Sequence, residues 1–373
     1  MSAAGTPSPA RATGGIPTGS TVAGGTPTGA VLVEGVDVLL LDLDGTVYRG
    51  GTAIDGAADA VRESARRGTR SAYVTNNASR HPSAIADQLT AAGIPTRPED
   101  VVTSAQAGAR LLASLVDPGT RTLVVGSAHL VDEVAAVGLV PLARDAPDRV
   151  GRAQAVVQGF DPSLRWSDLA AAAYALAAGV PWVATNVDLT IPTGDGIAPG
   201  NGSLVAAVAA AAGRRPVVAG KPERPLLDQA IERTGATVPL VVGDRLDTDI
   251  EAGVRAGLPT LLVLTGVSRP TDLVQAPARM RPTHLAADLA GLLEPALSAT
   301  DGGDGAWRCG GWTVRVAGAT SATSVSGSGD RVAGLWALAH ACWAAADDGR
   351  APTDSTGLAA ALDRIGWSDG ASR

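Results

Sequence analysis

Val38-Leu39-Leu40-Leu41-Asp42-Leu43-Asp44-Gly45-Thr46-Val47-Tyr48 decides how the rest of the chain is read. A run of branched apolar residues has the composition of a buried strand, and it ends in Asp-x-Asp-Gly-Thr. In an extended chain, residues i and i+2 point to the same side. Asp42 and Asp44 therefore face one direction, and Gly45 lets the backbone turn sharply after them. Two like charges this close repel unless a cation lies between them, so the pattern asks for a divalent metal. A bare Asp-x-Asp also fits a strand end followed by a polar turn. The other strand ends decide between the two.

Outward from this stretch the pattern is β-α-β-α. Residues 57–67 read as a helix closed by Gly68, 71–75 as a strand ending in Thr75-Asn76-Asn77-Ala78-Ser79-Arg80, and 82–92 as a helix. That alternation predicts a parallel sheet with helices on its faces. From Thr103 the pattern restarts, with Ser104 as a helix cap and strands expected at 121–126, 153–158 and 181–185. This second α/β run reads as a unit set inside the first. The first pattern then resumes with a strand at 216–219 ending in Gly220-Lys221-Pro222. A strand at 239–242 follows, ending in Gly243-Asp244-Arg245-Leu246-Asp247-Thr248-Asp249. A strand at 260–264 and a helix at 285–297 complete it.

The flanks differ in composition. Residues 1–34 are Gly, Pro, Ser, Thr and Ala with little else, which predicts a disordered low-complexity tail. Residues 299–373 open on Asp301-Gly302-Gly303-Asp304-Gly305, a linker, and hold Trp307, Trp312, Trp336, Trp343 and Trp367. That density of tryptophan predicts a small α+β module, with a strand over 307–316 and an amphipathic helix over 332–346. No acid–base or metal constellation is visible in it.

At 373 residues, two to three domains are expected. A net charge of −7 spread along the chain leaves no basic footprint for nucleic acid. No stretch is apolar enough to span a bilayer, and the N-terminus lacks a signal-peptide pattern. The 2 cysteines, Cys309 and Cys342, have no metal-ligand spacing, so a reduced, cytoplasmic setting is the expectation. A homo-oligomer is compatible with the sequence, which does not set the oligomeric state. Of 30 basic residues, Lys221 alone is a lysine. Against such an arginine bias, the lysine that stays is either a chance survivor or a place that needs a compact ammonium.

In an open parallel sheet, ligands bind beyond the carboxyl ends of the strands. Four polar motifs are predicted at such ends: Asp42/Asp44, Thr75/Asn76/Asn77, Lys221 and Asp244/Asp249. Together they match a phosphate and Mg²⁺. Asp42 is placed as the nucleophile that becomes an aspartyl phosphate. Asp44 protonates the leaving alcohol and then takes a proton from the hydrolytic water. Asp42, the main-chain carbonyl of Asp44, and Asp244 would hold the metal, with Asp249 behind them. Thr75 and the amides of Asn76 and Asn77 hold phosphoryl oxygens, and Lys221 neutralises charge on nucleophile and phosphoryl group. Phosphoryl transfer is mostly positioning and charge stabilisation, so this set is nearly complete. A calcium loop fails on spacing, because Gly45 falls at the fourth place rather than the sixth. A Walker A site fails because no Gly-rich run precedes Lys221. His81 and His129 are not read as ligands.

The four motifs resemble those of the haloacid dehalogenase-like (HAD) superfamily: Asp42-Leu43-Asp44-Gly45-Thr46 the first, Thr75 the second, Lys221 the third, Gly243-Asp244 to Asp249 the fourth. The wording around Val74-Thr75-Asn76-Asn77-Ala78-Ser79 and Gly243-Asp244 is similar to subfamily IIA, over about residues 35 to 297. The resemblance implies a Rossmann-like parallel-sheet core (35–104 and 213–298), an inserted α/β type C2 cap (105–212) and the C-terminal module (299–373). It implies an Mg²⁺-dependent phosphatase for a small phosphorylated metabolite. Gln158-Gly159, Trp166-Ser167-Asp168-Leu169 and Pro199-Gly200-Asn201-Gly202-Ser203 are similar to actinobacterial D,L-glycerol-3-phosphate phosphatases of the subfamily. Glycerol 3-phosphate is therefore the first expectation, with 2-phosphoglycolate, pyridoxal phosphate or another sugar phosphate as alternatives. The cap loop Thr185-Asn186-Val187-Asp188 directs Asn186 and Asp188 towards the substrate or, equally, uses them to form the loop. An interaction or sensor protein with a vestigial hydrolase core is the reading from another class.

Overall fold

The computed structural model describes residues 31–303, 305–316, 323–350 and 355–367; the expected tail over 1–30 lies outside them. Val38–Leu41 is a strand buried on both faces. Leu39 and Leu41 enter one apolar cluster with Val61, Ile85 and Leu89, while Val38 and Leu40 enter another with Leu112, Leu226 and Val241. Burial on both faces is what a parallel sheet between helical layers requires.

That sheet has six strands, in the spatial order His284–Ala286, Thr260–Val263, Pro239–Gly243, Val38–Leu41, Arg70–Thr75, Val101–Thr103. Every pairing in it is parallel. The chain first moves outward from Val38–Leu41 through Arg70–Thr75, and later returns to its other side at Pro239–Gly243. The order reverses between these two central strands, which opens a crevice beyond their carboxyl ends. Asp42 and Asp244 are the residues that follow them.

A second, five-stranded parallel sheet is built from the chain between: Val217–Val218, Trp182–Ala184, Ala155–Gln158, Arg121–Val125 and Val140–Leu142. A two-stranded hairpin, Thr190–Thr193 with Gly196–Pro199, extends from it. Among the described residues no helix is long and apolar enough to cross a membrane.

Four local expectations are corrected, and one strand was not read at all. Val217–Val218, expected to resume the first sheet, pairs with Val183 and Ala184 at the edge of the second. The expected terminal helix over 285–297 is a strand, His284–Ala286, followed by a 3₁₀ turn, Leu289–Leu293. There the Asp288 side chain caps the Ala290 amide at 2.8 Å, and Gly291 packs against Ala286. Thr103, not Ser104, caps the helix Ser104–Ala113. Val101–Thr103, unread from the sequence, is too short to signal itself and runs straight into that helix. Residues 31–34, expected to continue the tail, are joined to the fold: Val31 bridges Pro295, and the Leu32 and Val33 amides donate to Glu294 and Leu292 at 2.8 and 3.0 Å.

The C-terminal segment forms a four-stranded antiparallel sheet, Thr300–Asp301, Ala306–Cys309, Trp312–Val316 and Thr323–Gly327. The helices Arg331–Asp347 and Ser355–Ile365 pack with it. The first helix was expected to be amphipathic. Instead most of its residues are buried, because it lies between its own sheet and the first unit. Its Leu and Trp side chains share one apolar core with Leu246, Ile250, Leu262 and Leu273. Trp343 Nε1 donates to the Leu273 carbonyl at 2.9 Å, and Arg281 pairs with Asp347 at 2.6 and 2.8 Å.

At the seam between the two parallel-sheet units, His129 is 1% exposed. Its Nε2 lies 3.2 Å from Thr103 Oγ1, its ring lies 4.3 Å from that of His81, and Glu133 and Asp132 stand beside the pair. Burial, helped by His81, pushes the imidazole down from 6.5 to about 4. The unfolded chain therefore binds a proton that the folded one rejects, and stability is lost as pH falls from 6.5 towards 4. We expect Tm to drop on the order of a few degrees more over this window in the native chain than in His129→Gln. Equal pH slopes in the two proteins would remove this assignment.

Candidate active site

The crevice gathers side chains from four segments. Asp42 exits its strand half-buried, and Lys221 meets it: the ammonium, 3% exposed, donates to Asp42 Oδ1 at 2.5 Å, Asp249 Oδ1 at 2.6 Å and the Val74 carbonyl at 2.9 Å. Burial opposes the ammonium's charge, but Asp249 and Asp42 outweigh it and hold Lys221 above its ordinary value. Burial also pushes the Asp42 carboxyl well above the usual range; Lys221 pulls it back, and Asp249 and Asp244 push it further.

Asp244, fully buried, is raised to about 7 by burial first and by Asp249 next. Its Oδ2 accepts the Val267 amide at 2.6 Å, and its carbonyl accepts the Ser268 amide at 3.1 Å. Two glycines permit its position. A Cβ on Gly266 would lie 1.9 Å from Asp244 Oδ2, and one on Gly45 2.5 Å from it. Gly45 also has φ +85°, a conformation side-chain-bearing residues avoid. Asp249 is brought round by a π-helical turn, Leu246–Ile250, a distortion frequent at functional sites. Its Oδ2 accepts the Arg245 amide at 3.1 Å. Carboxylate oxygens of Asp42, Asp244 and Asp249 lie within 4.8 Å of one another. Asp44, exposed one turn away, is raised by burial of its surroundings against the pull of Arg80 and Lys221.

Thr75 is buried at its strand end, and its Oγ1 accepts the Asn77 amide at 3.1 Å. Asn77 Oδ1 accepts the Ser79 amide and hydroxyl at 2.9 and 2.8 Å, which shapes the loop. Asn76, whose backbone amide the sequence assigns to the phosphate, has a side chain with partners of its own. It is fully engaged with Lys221 and Asp188. Asn186 is likewise engaged, donating to the Asn76 carbonyl at 2.7 Å and accepting the Asp188 amide at 3.2 Å, so it forms the loop. Asp188 is half-buried, and burial raises its carboxyl while Arg245 and Asn76 lower it. Asp247, in the first turn of the π-helical segment, pairs with Arg245 at 2.8 and 3.0 Å.

Sequence reading missed the segment Thr265-Gly266-Val267-Ser268, which seats Asp244, and the cations Arg80 and Arg245. The available signal was positional. Residues 265–268 follow the strand Thr260–Val263 at the same edge of the same sheet.

Comparison with known proteins places the chain among hydrolases. Residues 39–140 match the haloacid dehalogenase-like hydrolase family, and 218–292 match a HAD-hydrolase-like family. Residues 309–367 match a GCN5-related N-acetyltransferase like domain. The chain is 50% identical to a D-glycerol 3-phosphate phosphatase of Mycobacterium tuberculosis over 258 residues, 69% of this chain and 70% of that protein. It is 36% identical to a 5′-nucleotidase of Bacillus subtilis over 247 residues, 66% of this chain and 93% of that one. The crystal structure of a glycerol phosphate phosphatase from Mycobacterium tuberculosis in complex with magnesium superposes with a TM-score of 0.77 at 42% identity. That match covers 91% of this chain and 99% of the other. A p-nitrophenyl phosphatase from Archaeoglobus fulgidus gives 0.63 at 27% identity, covering 69% and 98%. With four motifs in order around one crevice and relatives of this similarity, the chain belongs to the haloacid dehalogenase-like hydrolase family.

Proposed function

We propose that this enzyme is a magnesium-dependent phosphomonoester hydrolase acting on glycerol 3-phosphate through an aspartyl phosphate on Asp42. The observation that carries it is the buried Asp42–Lys221–Asp249 arrangement beside Asp244. The charge balance supports a cation: three carboxylates crowd within 4.8 Å, and burial and mutual repulsion raise Asp42 and Asp244. A hard dication suits this all-oxygen set. Asp42, Asp244 and the Asp44 carbonyl would hold Mg²⁺, which when bound neutralises charge on the phosphoryl oxygens.

In the first step Asp42 forms a bond to phosphorus as the bond to the alkoxide oxygen breaks, and Asp44 gives that oxygen its proton. In the second step water attacks the same phosphorus and loses a proton to Asp44. The bond to Asp42 breaks and phosphate leaves. Asp44 suits this duty because it is exposed to the crevice and its carboxyl is raised, so it holds a proton more readily than an ordinary aspartate. Lys221 steadies Asp42 and the transferred group, and the backbone amides after Thr75 line the phosphoryl position.

The similarity to glycerol phosphate phosphatases supports the choice of substrate. The side chain of Asp188, half-buried beside Asn76, supports it too, because a carboxyl group there would accept from a substrate hydroxyl and offers no cation to a carboxylate such as that of 2-phosphoglycolate. Two free, buried thiols, Cys309 and Cys342, support a reducing cytoplasmic setting.

The test is a panel of glycerol 3-phosphate, 2-phosphoglycolate, pyridoxal phosphate and a sugar phosphate, compared by kcat/KM with Mg²⁺ and after chelation. Glycerol 3-phosphate is expected to lead, and EDTA to abolish turnover until Mg²⁺ is restored. Activity that survives EDTA sinks the metal assignment. A lead for another phosphate sinks the substrate, and no hydrolysis at all sinks the reading.

A further inference from the structure

Lys221 reaches Asp42 from an unexpected direction. It follows Val217–Val218, an edge strand of the second sheet, while Asp42 follows a strand of the first. Its position over Asp42 therefore depends on how the two units are joined. One side chain lies at that junction. Asn76 Oδ1 accepts the Lys221 amide at 2.9 Å, and Asn76 Nδ2 donates to the Lys221 carbonyl at 3.0 Å. The same Nδ2 donates to Asp188 Oδ1 and Oδ2 at 3.1 and 3.2 Å. The Asn76 carbonyl accepts from Ser104 Oγ at 2.6 Å and from Asn186 Nδ2 at 2.7 Å.

We propose that Asn76 is a positioning residue, a clasp that couples the docking of the loop 185–188 to the placement of the Lys221 ammonium on Asp42. Only a short primary amide offers a donor and an acceptor in one plane at this reach. Aspartate lacks the donor, and glutamine is one methylene too long. The junction is packed to match: a Cβ on Gly220 would lie 2.6 Å from Asn76 Oδ1 and 2.6 Å from the Thr185 carbonyl. When the loop is docked, Asp188 and Lys221 share one amide group and are fixed together. When it is displaced, the Asn76 amide loses the Asp188 carboxylate that holds it in its plane against the Lys221 backbone. The catalytic consequence rests on the proposed phosphatase reading; the clasp itself does not.

The test uses the full-length chain with Asn76→Ala, Asn76→Asp and the exchange Asn76→Asp/Asp188→Asn. Two readouts are taken: kcat and KM on glycerol 3-phosphate, and amide hydrogen exchange across residues 217–224. Asn76→Ala is expected to lower kcat by about 10- to 100-fold with a smaller change in KM, because a misplacement near 1 Å costs this much. It should also speed exchange at the Lys221 amide with little change in Tm. Asn76→Asp should be worse, since its carboxylate faces Asp188 and the Lys221 carbonyl. The exchange variant should recover part of kcat by reversing donor and acceptor between positions 76 and 188.

A kcat within twofold of native for Asn76→Ala overturns the clasp. So does an exchange variant no better than Asn76→Asp. A rise in KM alone makes Asn76 a substrate ligand instead. If the native chain hydrolyses none of the phosphates, the phosphatase reading has failed, and faster exchange at Lys221 in Asn76→Ala still reports the clasp.

Discussion

Asp42→Asn is expected to lower kcat by about 10⁴-fold or more while leaving a folded protein. The amide has the shape of the carboxylate, and its oxygen still accepts the Lys221 ammonium that now sits 2.5 Å from Asp42 Oδ1. It is not a nucleophile towards phosphorus, so no acyl phosphate forms. Stability should hold or rise, because the native carboxyl is buried beside Asp249 and Asp244 and is already pushed towards its neutral form. Loss of turnover with an unchanged or higher Tm is the signature to look for. Turnover near the native rate would remove Asp42 from the chemistry, and a collapse of Tm would leave its chemical role unread.

Lys221→Arg is the second large effect, with the opposite balance between activity and folding. The ammonium is enclosed by three oxygens, on Asp42, Asp249 and Val74, at 2.5, 2.6 and 2.9 Å. They surround a compact tetrahedral donor. A planar guanidinium is wider and presents its donors as a fork, so it cannot serve all three from within this box. We expect kcat to fall by about 10²-fold or more. Lys221→Met goes further, since it leaves Asp249 and Asp42 buried without their partner. That is expected to cost about 3–5 kcal/mol of stability, measured by denaturant unfolding. Unchanged kinetics in Lys221→Arg would show that the chain's single lysine carries no special duty.

Much of this was legible because the chemistry is local in sequence. Asp42 and Asp44 are two residues apart on a strand exit, and Asp244 and Asp249 share one turn. Short-range geometry therefore declares their grouping. The parallel sheet was legible from apolar runs alternating with helices. The route of Lys221 was not. A strand of two residues, Val217–Val218, carries no pattern that names its partner, so its edge position in the second sheet follows only from packing. The side-chain bonds of Asn76 were silent for a related reason: its partners lie 112 and 145 residues away. The segment 265–268 was silent because a backbone amide, Val267, does the work there, and any non-proline residue supplies one. The helix Arg331–Asp347 was read as amphipathic because nothing local shows that a second surface covers its outer face.

That covering surface bears on synthesis. A ribosome that has released residues up to 298 has made every charged group of the crevice. It has not made the helix that shares one apolar core with Leu246 and Ile250, which bracket the turn of Asp249. Until the helix Arg331–Asp347 has formed, the apolar side chains that flank Asp249 lack part of their core. A chain stalled before that segment therefore leaves an apolar strip, with Leu246, Ile250, Leu262 and Leu273, open to proteases and to self-association until Trp343 and its neighbours cover it.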